Sequence, residues 1–278
     1  MSSLATTSAE IRRQYNEVIA ASYDLDPQRV AGRSLARVIA QLSAESCLAA
    51  GLPPMNVLDV GMGTGLFLEQ LRNRAEREIH PHGLDISEKM ADVAKSRLPD
   101  LVSNIDDAAN LGRHFDEASF DLICTHFITG FVPIDHLAPQ IWKKLKPGGY
   151  WSFAGAISGA FPELQRKANN RWLRMMFGNG KRFEAGDLLT PMDVEAVARC
   201  LRNHAFEICE AELYEPDVSF RDFDEFMEFG YKGSWFTPFI EELGLQHARP
   251  MLRGLINLFV FPMSDHHCVA IALGKKPD

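Results

Sequence analysis

Val57-Leu58-Asp59-Val60-Gly61-Met62-Gly63-Thr64-Gly65 is the stretch from which the fold of this chain is read. Its apolar start predicts a buried strand. The acid and the three glycines at i, i+2 and i+4 predict a tight turn, and Leu66 to Arg77 the helix that follows. Glycine lets the backbone approach a ligand and take positive φ. The helix N-terminus then offers free N–H groups to an anion. The run therefore predicts a site for a nucleotide-like ligand with a carboxylate or phosphate. A dinucleotide fingerprint needs Gly-x-Gly-x-x-Gly. Here the third glycine, Gly65, comes one residue early, and Leu66 takes the place glycine would hold. No Gly-Lys-Ser/Thr follows, which excludes a P-loop.

Three more segments fall at fitting distances. His82-Gly83-Leu84-Asp85-Ile86-Ser87 predicts a second strand. It ends in an acid where doubly wound sheets bind a ribose diol. The same place suits a helix N-cap, and both roles can hold together. Asn104 to Leu111 contains Asp106-Asp107-Ala108-Ala109 after a short apolar stretch. Ser119 to Phe127 predicts a fourth strand. Trp142-Lys143-Lys144-Leu145-Lys146-Pro147-Gly148-Gly149-Tyr150 predicts a helix end and a turn into a fifth. Its three lysines suit the negative end of the helix dipole and read as a solvated cap.

Together these segments resemble the class I S-adenosylmethionine (SAM) methyltransferases. The usual loop of that family is acidic-x-Gly-x-Gly-x-Gly, with a Leu-Lys-Pro-Gly-Gly turn further on. The resemblance covers residues 10 to 155, and 206 to 273 as strand order only. It implies a doubly wound α/β fold: a seven-stranded, mostly parallel sheet with its last strand antiparallel, N-terminal helices and helical lid insertions. For the cofactor it implies Asp59, Gly61, Met62, Gly63 and Gly65 in the loop and Asp85 on the ribose. It further implies Ile86 and Met90 on the adenine, Asp107 and Ala108 at its amino edge, and Thr125 at the end of the fourth strand. Asp106 rivals Asp107, one register away. Tyr15 to Asp24 is similar to the Tyr-Asp leader that closes over the cofactor in relatives, with Asn16 in place of the first Asp. Tyr23 is thus expected at the cofactor and Tyr15 at the substrate, or both as pins of a helix.

The predicted organisation is an N-terminal helical lid (1–50), a SAM-binding core (51–157) and a helical insertion (158–204). Two closing strands (205–213 and 265–275) flank an aromatic-rich lid subdomain (214–264). Strand and helix alternate through residues 56–155, which implies a parallel sheet with ligands at the carboxyl ends of its strands. Thr190-Pro191 is expected to open a helix, with Thr190 as its cap. Phe220, Phe223, Phe226 and Phe229 recur every third residue. Such a stripe is either core or pocket wall, and some of these rings are expected at the acceptor.

Methyl transfer from a sulfonium is an in-line displacement in which the protein chiefly aligns the acceptor and excludes water. His126 is the best-placed base, or a structural histidine. His266 and His267 are weaker candidates. Arg171 and Arg174 share a helix face and fork a carboxylate or are simply solvated. Tyr15, His126, Phe127, Arg171, Trp172, Tyr231, Trp235 and Phe236 are the expected acceptor contacts. Thr125 to Thr129 lacks the Asn/Asp-Pro-Pro-Tyr/Phe motif of enzymes that methylate planar nitrogens, and no acidic set predicts a metal.

The composition, 29 basic against 37 acidic residues, disfavours nucleic acid. No apolar run predicts a membrane span, and the N-terminus does not resemble a secretory signal. Five cysteines without a CxxC pair read as reduced thiols of a cytoplasmic protein. The expected protein is a monomeric or homodimeric SAM-dependent methyltransferase. It acts on an O, N or C centre of a small or medium metabolite, in secondary metabolism. The alternative is a non-methylating cyclase or regulatory protein that binds SAM in the same fold.

Overall fold

The computed structural model describes residues 8–20, 23–171, 189–233, 235, 240 and 244–278. Its strands are β1 (Met55–Val60), β2 (Ile79–Asp85), β3 (Val102–Ile105), β4 (Phe120–His126), β5 (Leu145–Ala156), β6 (Glu207–Tyr214), β7 (Asp217–Phe220), β8 (Met263–His266) and β9 (Val269–Lys275). Seven of them form one sheet in the order β3-β2-β1-β4-β5-β9-β6. Neighbours from β3 to β5 are parallel, while β9 is antiparallel to both β5 and β6. This is the doubly wound, mostly parallel sheet expected, with the last strand reversed.

Both faces of such a sheet must be covered. One face packs on α2 (Val30–Ala44), α3 (Leu66–Arg74) and α4 (Glu88–Arg97); the other packs on α5 (Ile134–Lys144) and α7 (Val194–Asn203). In α2, Leu35, Val38, Ile39 and Leu42 are buried, the one-sided spacing of an amphipathic helix. β1 is buried along nearly its whole length. That is why its sequence is a continuous apolar run broken only by Asn56 and Asp59. Trp151 is fully buried in β5, and its indole N–H donates to Thr125 Oγ1 at 2.9 Å. An N–H taken out of water needs such a partner.

The remaining helices are α1 (Ser8–Gln14), α6 (Pro162–Ala168), α8 (Phe223–Met227) and α9 (Pro250–Val260). α8 continues into a wide turn over Glu228–Lys232. Phe220, Phe223, Phe226 and Phe229 are all buried there in a third core, with Phe161, Ile256 and Phe261. The stripe is therefore the interior of the subdomain formed around this third core. This subdomain leaves and rejoins the sheet on a two-stranded ribbon in which Asp217 faces His266 and Phe220 faces Met263. Four-residue strands such as Asp-Val-Ser-Phe carry too short an alternation to be read in advance.

Two expectations are corrected. Thr190 does not cap α7. The Pro191 carbonyl is taken by the Ser158 N–H at 2.8 Å, and Asp193 caps instead, accepting from the Ala196 N–H at 2.7 Å. The lysines ending α5 are not all a solvated cap. Lys144 is buried, and its Nζ donates to the Phe115 carbonyl at 2.6 Å. Lys146 pairs with Asp121 at 2.9 Å. Loop carbonyls and a carboxylate needed donors there, and the long side chains supply them.

Candidate active site

A cavity of about 660 Å³ lies at the carboxyl ends of β1, β4 and β5. Asp59, Gly61 and Met62 form its floor. Tyr15 and Tyr23 come from the N-terminal segment, His126 and Phe127 from the end of β4, and Phe161, Trp235 and His267 from the lid side. Its size suits a drug-sized ligand.

Asp59 is only 3% exposed, and its Oδ1 has no hydrogen-bond partner among the described residues. Burial first, and the nearby Asp85 second, push this carboxyl up to about 7. Asp85 itself accepts from the Gly63 N–H at 2.8 Å and the Ser87 N–H at 2.9 Å. Burial raises its pKa while these donors pull it down. Gly63 has φ +53°, and a Cβ there would stand 3.2 Å from Tyr23 Cε1. The Met62 side chain is also fixed: it is buried, and a Cβ on Gly83 would stand 1.9 Å from its sulfur. Met62 thus packs by its side chain as well as turning by its backbone, a pairing that a single sequence does not disclose.

The N-terminal segment is clasped to the loop. Asp24 accepts from Thr64 Oγ1 at 2.6 Å and from Arg97 at 2.7 Å. Arg12 donates to the Ile86 carbonyl at 3.0 Å, and Ser8 Oγ donates to Asp107. The Asn16 amide accepts from Ser87 Oγ and donates to Glu88. An aspartate at position 16 could not make both bonds. Asp107 also caps the turn Ala108–Arg113. Its rival Asp106 is spent on His114, Asn110 and the Asp107 N–H, and these bonds hold its carboxyl down at about 2.

His126 is buried, with Nε2 3.1 Å from Ser152 Oγ and its ring edge-on to Phe67 at 4.4 Å. Its Nδ1 has no partner among the described residues. Burial alone pulls the imidazole down to about 3. His267 is likewise fully buried and pulled to about 3, with neither ring nitrogen paired among the described residues.

The cavity floor and the glycine loop after β1 fall within a stretch that matches in sequence comparison. Residues 57–149 match the family model described as a methyltransferase domain. These residues are a methyltransferase domain. The chain is 34% identical over 121 residues to the biotin biosynthesis bifunctional protein BioHC of Cellvibrio japonicus, covering 43% of this chain and 23% of that protein. It is 31% identical over 154 residues to the demethylmenaquinone methyltransferase of Deinococcus radiodurans, covering 53% and 62%. The chain spans from 23% to 62% of the curated relatives it matches. In fold it is similar to the YcgJ protein of Bacillus subtilis, with a TM-score of 0.58 at 16% identity over 89% of this chain and 99% of that one.

Tyr23, Asp59, Gly61 and Met62 line the cavity, as do Tyr15, His126, Phe127 and Trp235 among the expected acceptor contacts. Gly63 lies under Tyr23, and Gly65 opens α3. Met90 is fully buried below the Ser87 cap, whose Oγ accepts from its N–H. Ala108 belongs to the core, and the Thr125 hydroxyl is turned inward to Trp151. Tyr231 packs on the lid core and Arg171 is exposed. Neither is among the lining residues. Trp172, Arg174 and Phe236 lie outside the described residues. Phe67, Phe131 and Phe161 line the cavity without having been expected, because no motif surrounds them. One set with metal-ligating chemistry occurs among the described residues: Asp135, Cys200 and His204 on α5 and α7, none of which lines the cavity.

Proposed function

We propose that this chain transfers the methyl group of SAM to an O, N or C centre of a small or medium metabolite, of the kind found in secondary metabolism. The observation that carries the reading is the unpartnered Asp59 carboxylate beside the glycine loop. A buried carboxylate there repels a pyrophosphate but is completed by a ligand that brings a cation. The amino group of a nucleoside–amino acid such as SAM is that cation. The cavity volume and the close approach at Gly63 fit it as well.

Bound there, SAM supplies a methyl group on a positive sulfur, already activated for in-line displacement. Asp59 holds the amino group. Asp85 shares its remaining lone pairs with a ribose diol while keeping the loop N–H groups. Tyr15 and Tyr23 close from the N-terminal side and exclude water, with ring centroids 6.3 Å apart. Met90, Ile86, Asp107 and Ala108 border the adenine side, and Gly61, Met62, Gly65 and Thr125 shape the strand ends. His126 Nδ1 orients the acceptor as a neutral hydrogen-bond acceptor. An imidazole near 3 with no anion on Nδ1 holds a proton poorly. The base role expected of His126 therefore needs a group that the acceptor itself would bring.

A small acceptor rather than nucleic acid is supported by the wall chemistry: Arg29 is the one permanent cation among the described lining residues. Among the described residues no helix is long and apolar enough to cross a membrane. The reading is tested by native mass spectrometry of the purified protein, then an assay for S-adenosylhomocysteine release on a panel of phenols, amines and small acids. Bound cofactor with turnover on one class is the expected result. Failure to bind SAM or S-adenosylhomocysteine overturns the reading.

A further inference from the structure

His267 lies between β8 and β9 on the lid side of the cavity, and the methyl-transfer chemistry above gives it no task. It is fully buried, it lines the cavity, and both of its ring nitrogens are unpaired among the described residues. Burial keeps the ring neutral. A neutral imidazole carries one N–H donor and one bare acceptor nitrogen. Leaving both unmet in a buried place is costly.

The ring is held in an aromatic box. Phe161 stacks on it at 4.6 Å and 28°, and Phe127 lies near-parallel at 6.2 Å and 23°. Trp235 meets it edge-on at 4.7 Å. Both phenylalanines sit in the left-handed backbone region, with φ +57° at Phe127 and +56° at Phe161. A bulky residue is an outlier there and persists only where its surroundings hold it. They are held: the Phe127 N–H donates to the Ala154 carbonyl at 2.7 Å and the Phe161 N–H to the His266 carbonyl at 2.9 Å.

Two polar side chains on this side of the cavity are already used. Gln165 donates to the Ser158 and Ala160 carbonyls, and Ser158 Oγ lies within hydrogen-bond distance of Thr190 and Pro191. Arg29, the single lining cation, is exposed on the N-terminal segment. An anionic acceptor would find no buried cation among the described residues here.

We propose that His267 is the polar anchor of the acceptor subsite, and that the acceptor is an uncharged, mainly aromatic or apolar molecule whose hydroxyl the imidazole holds. The proposal rests on the methyl-transfer reading and narrows its substrate class. A hydroxyl both donates and accepts, as the neutral imidazole does, and the ring walls suit a flat apolar body.

The test uses the full chain saturated with S-adenosylhomocysteine, whose binding is measured first by calorimetry. The probes are 2-naphthol, naphthalene and 2-naphthoate. In the wild-type protein 2-naphthol should bind about tenfold more tightly than naphthalene, the worth of one buried hydrogen bond, with 2-naphthoate weakest. His267→Phe should erase the naphthol preference, and His267→Gln should keep part of it. Equal binding of naphthol and naphthalene to the wild type overturns the proposal, whether or not the Phe variant folds. So does a preference that survives His267→Phe, or naphthoate binding best. Failure of S-adenosylhomocysteine to bind strikes the methyl-transfer reading itself. Cofactor binding without the naphthol preference strikes only the assignment of His267.

Discussion

The glycine-loop end of the cavity is built from short stretches of chain. Asp59, Gly61 and Gly63 fall within five consecutive residues, and Asp85 of the next strand accepts from the Gly63 N–H. The opposite end is built from side chains of distant segments. Phe127 follows β4, Phe161 precedes α6, Trp235 belongs to the lid and His267 precedes β9. The first end is polar and backbone-lined, and it carries a partnerless carboxylate. The second is aromatic and carries neutral imidazoles: among the described residues His267 has neither ring nitrogen paired and His126 has Nδ1 unpaired. A loop that must fit one fixed ligand is confined to a few residues with special backbone needs. A wall that must fit a variable acceptor can be assembled from any surface the fold brings close.

The largest way to break this contrast is Gly63→Val. A β-branched side chain at φ +53° is strained, and its Cβ would press on Tyr23. Calorimetry should show SAM affinity down at least about a hundredfold, with the circular dichroism spectrum of the sheet retained. A variant that binds normally would remove the loop from the site.

Asp85→Ala should be the next largest. It removes the acceptor of the Gly63 and Ser87 N–H groups as well as the expected diol contact. The loss should exceed about tenfold in SAM affinity, and an unchanged value would sink the ribose assignment.

Asp59 sharpens the contrast through pH. Its carboxyl titrates near 7 in the free protein, and a cationic ligand requires it ionised. Affinity for SAM should therefore fall as pH drops below 7, by up to about tenfold per unit, the slope of one proton. Asp59→Asn should flatten that slope. The sign for folding is opposite. A carboxyl raised above its unfolded value of about 3.9 favours the fold fully below that value, and this contribution is lost as pH rises through 7.

At the other end, His126→Ala should leave SAM affinity unchanged and cost turnover only about tenfold, the loss of an orienting hydrogen bond. A loss of about 10²–10⁴ is the mark of a general base and would restore that role. The smallest effect belongs to the clasp. Arg97→Ala removes a partly exposed pair with Asp24, worth at most about 1 kcal/mol, so a few-fold change in SAM affinity is expected.

How much of this was legible follows from where the information lies. Asp59 to Gly65 and Asp85 sit at fixed distances along the chain because strand, turn and helix lengths fix them. The same holds for the Leu145–Tyr150 turn. The exchange at Lys144 was not legible, since whether a lysine reaches water or the Phe115 carbonyl depends on a loop that meets it only in the folded state. Nor was the Met62–Gly83 contact, which joins the glycine loop to β2 by a volume match.

The sequence by itself determined the alternation of strand and helix, hence the parallel part of the sheet, and the tight glycine turn after β1, because local periodicity and glycine spacing act over a few residues; the reversed last strand came from the family resemblance alone. Only the tertiary structure decided which aromatic residues are lid core and which are wall. It alone placed His267 between Phe127 and Phe161, and it alone left Asp59 Oδ1 without a partner among the described residues. Burial and pairing are properties of contacts between segments far apart in the chain, and no stretch of sequence contains them.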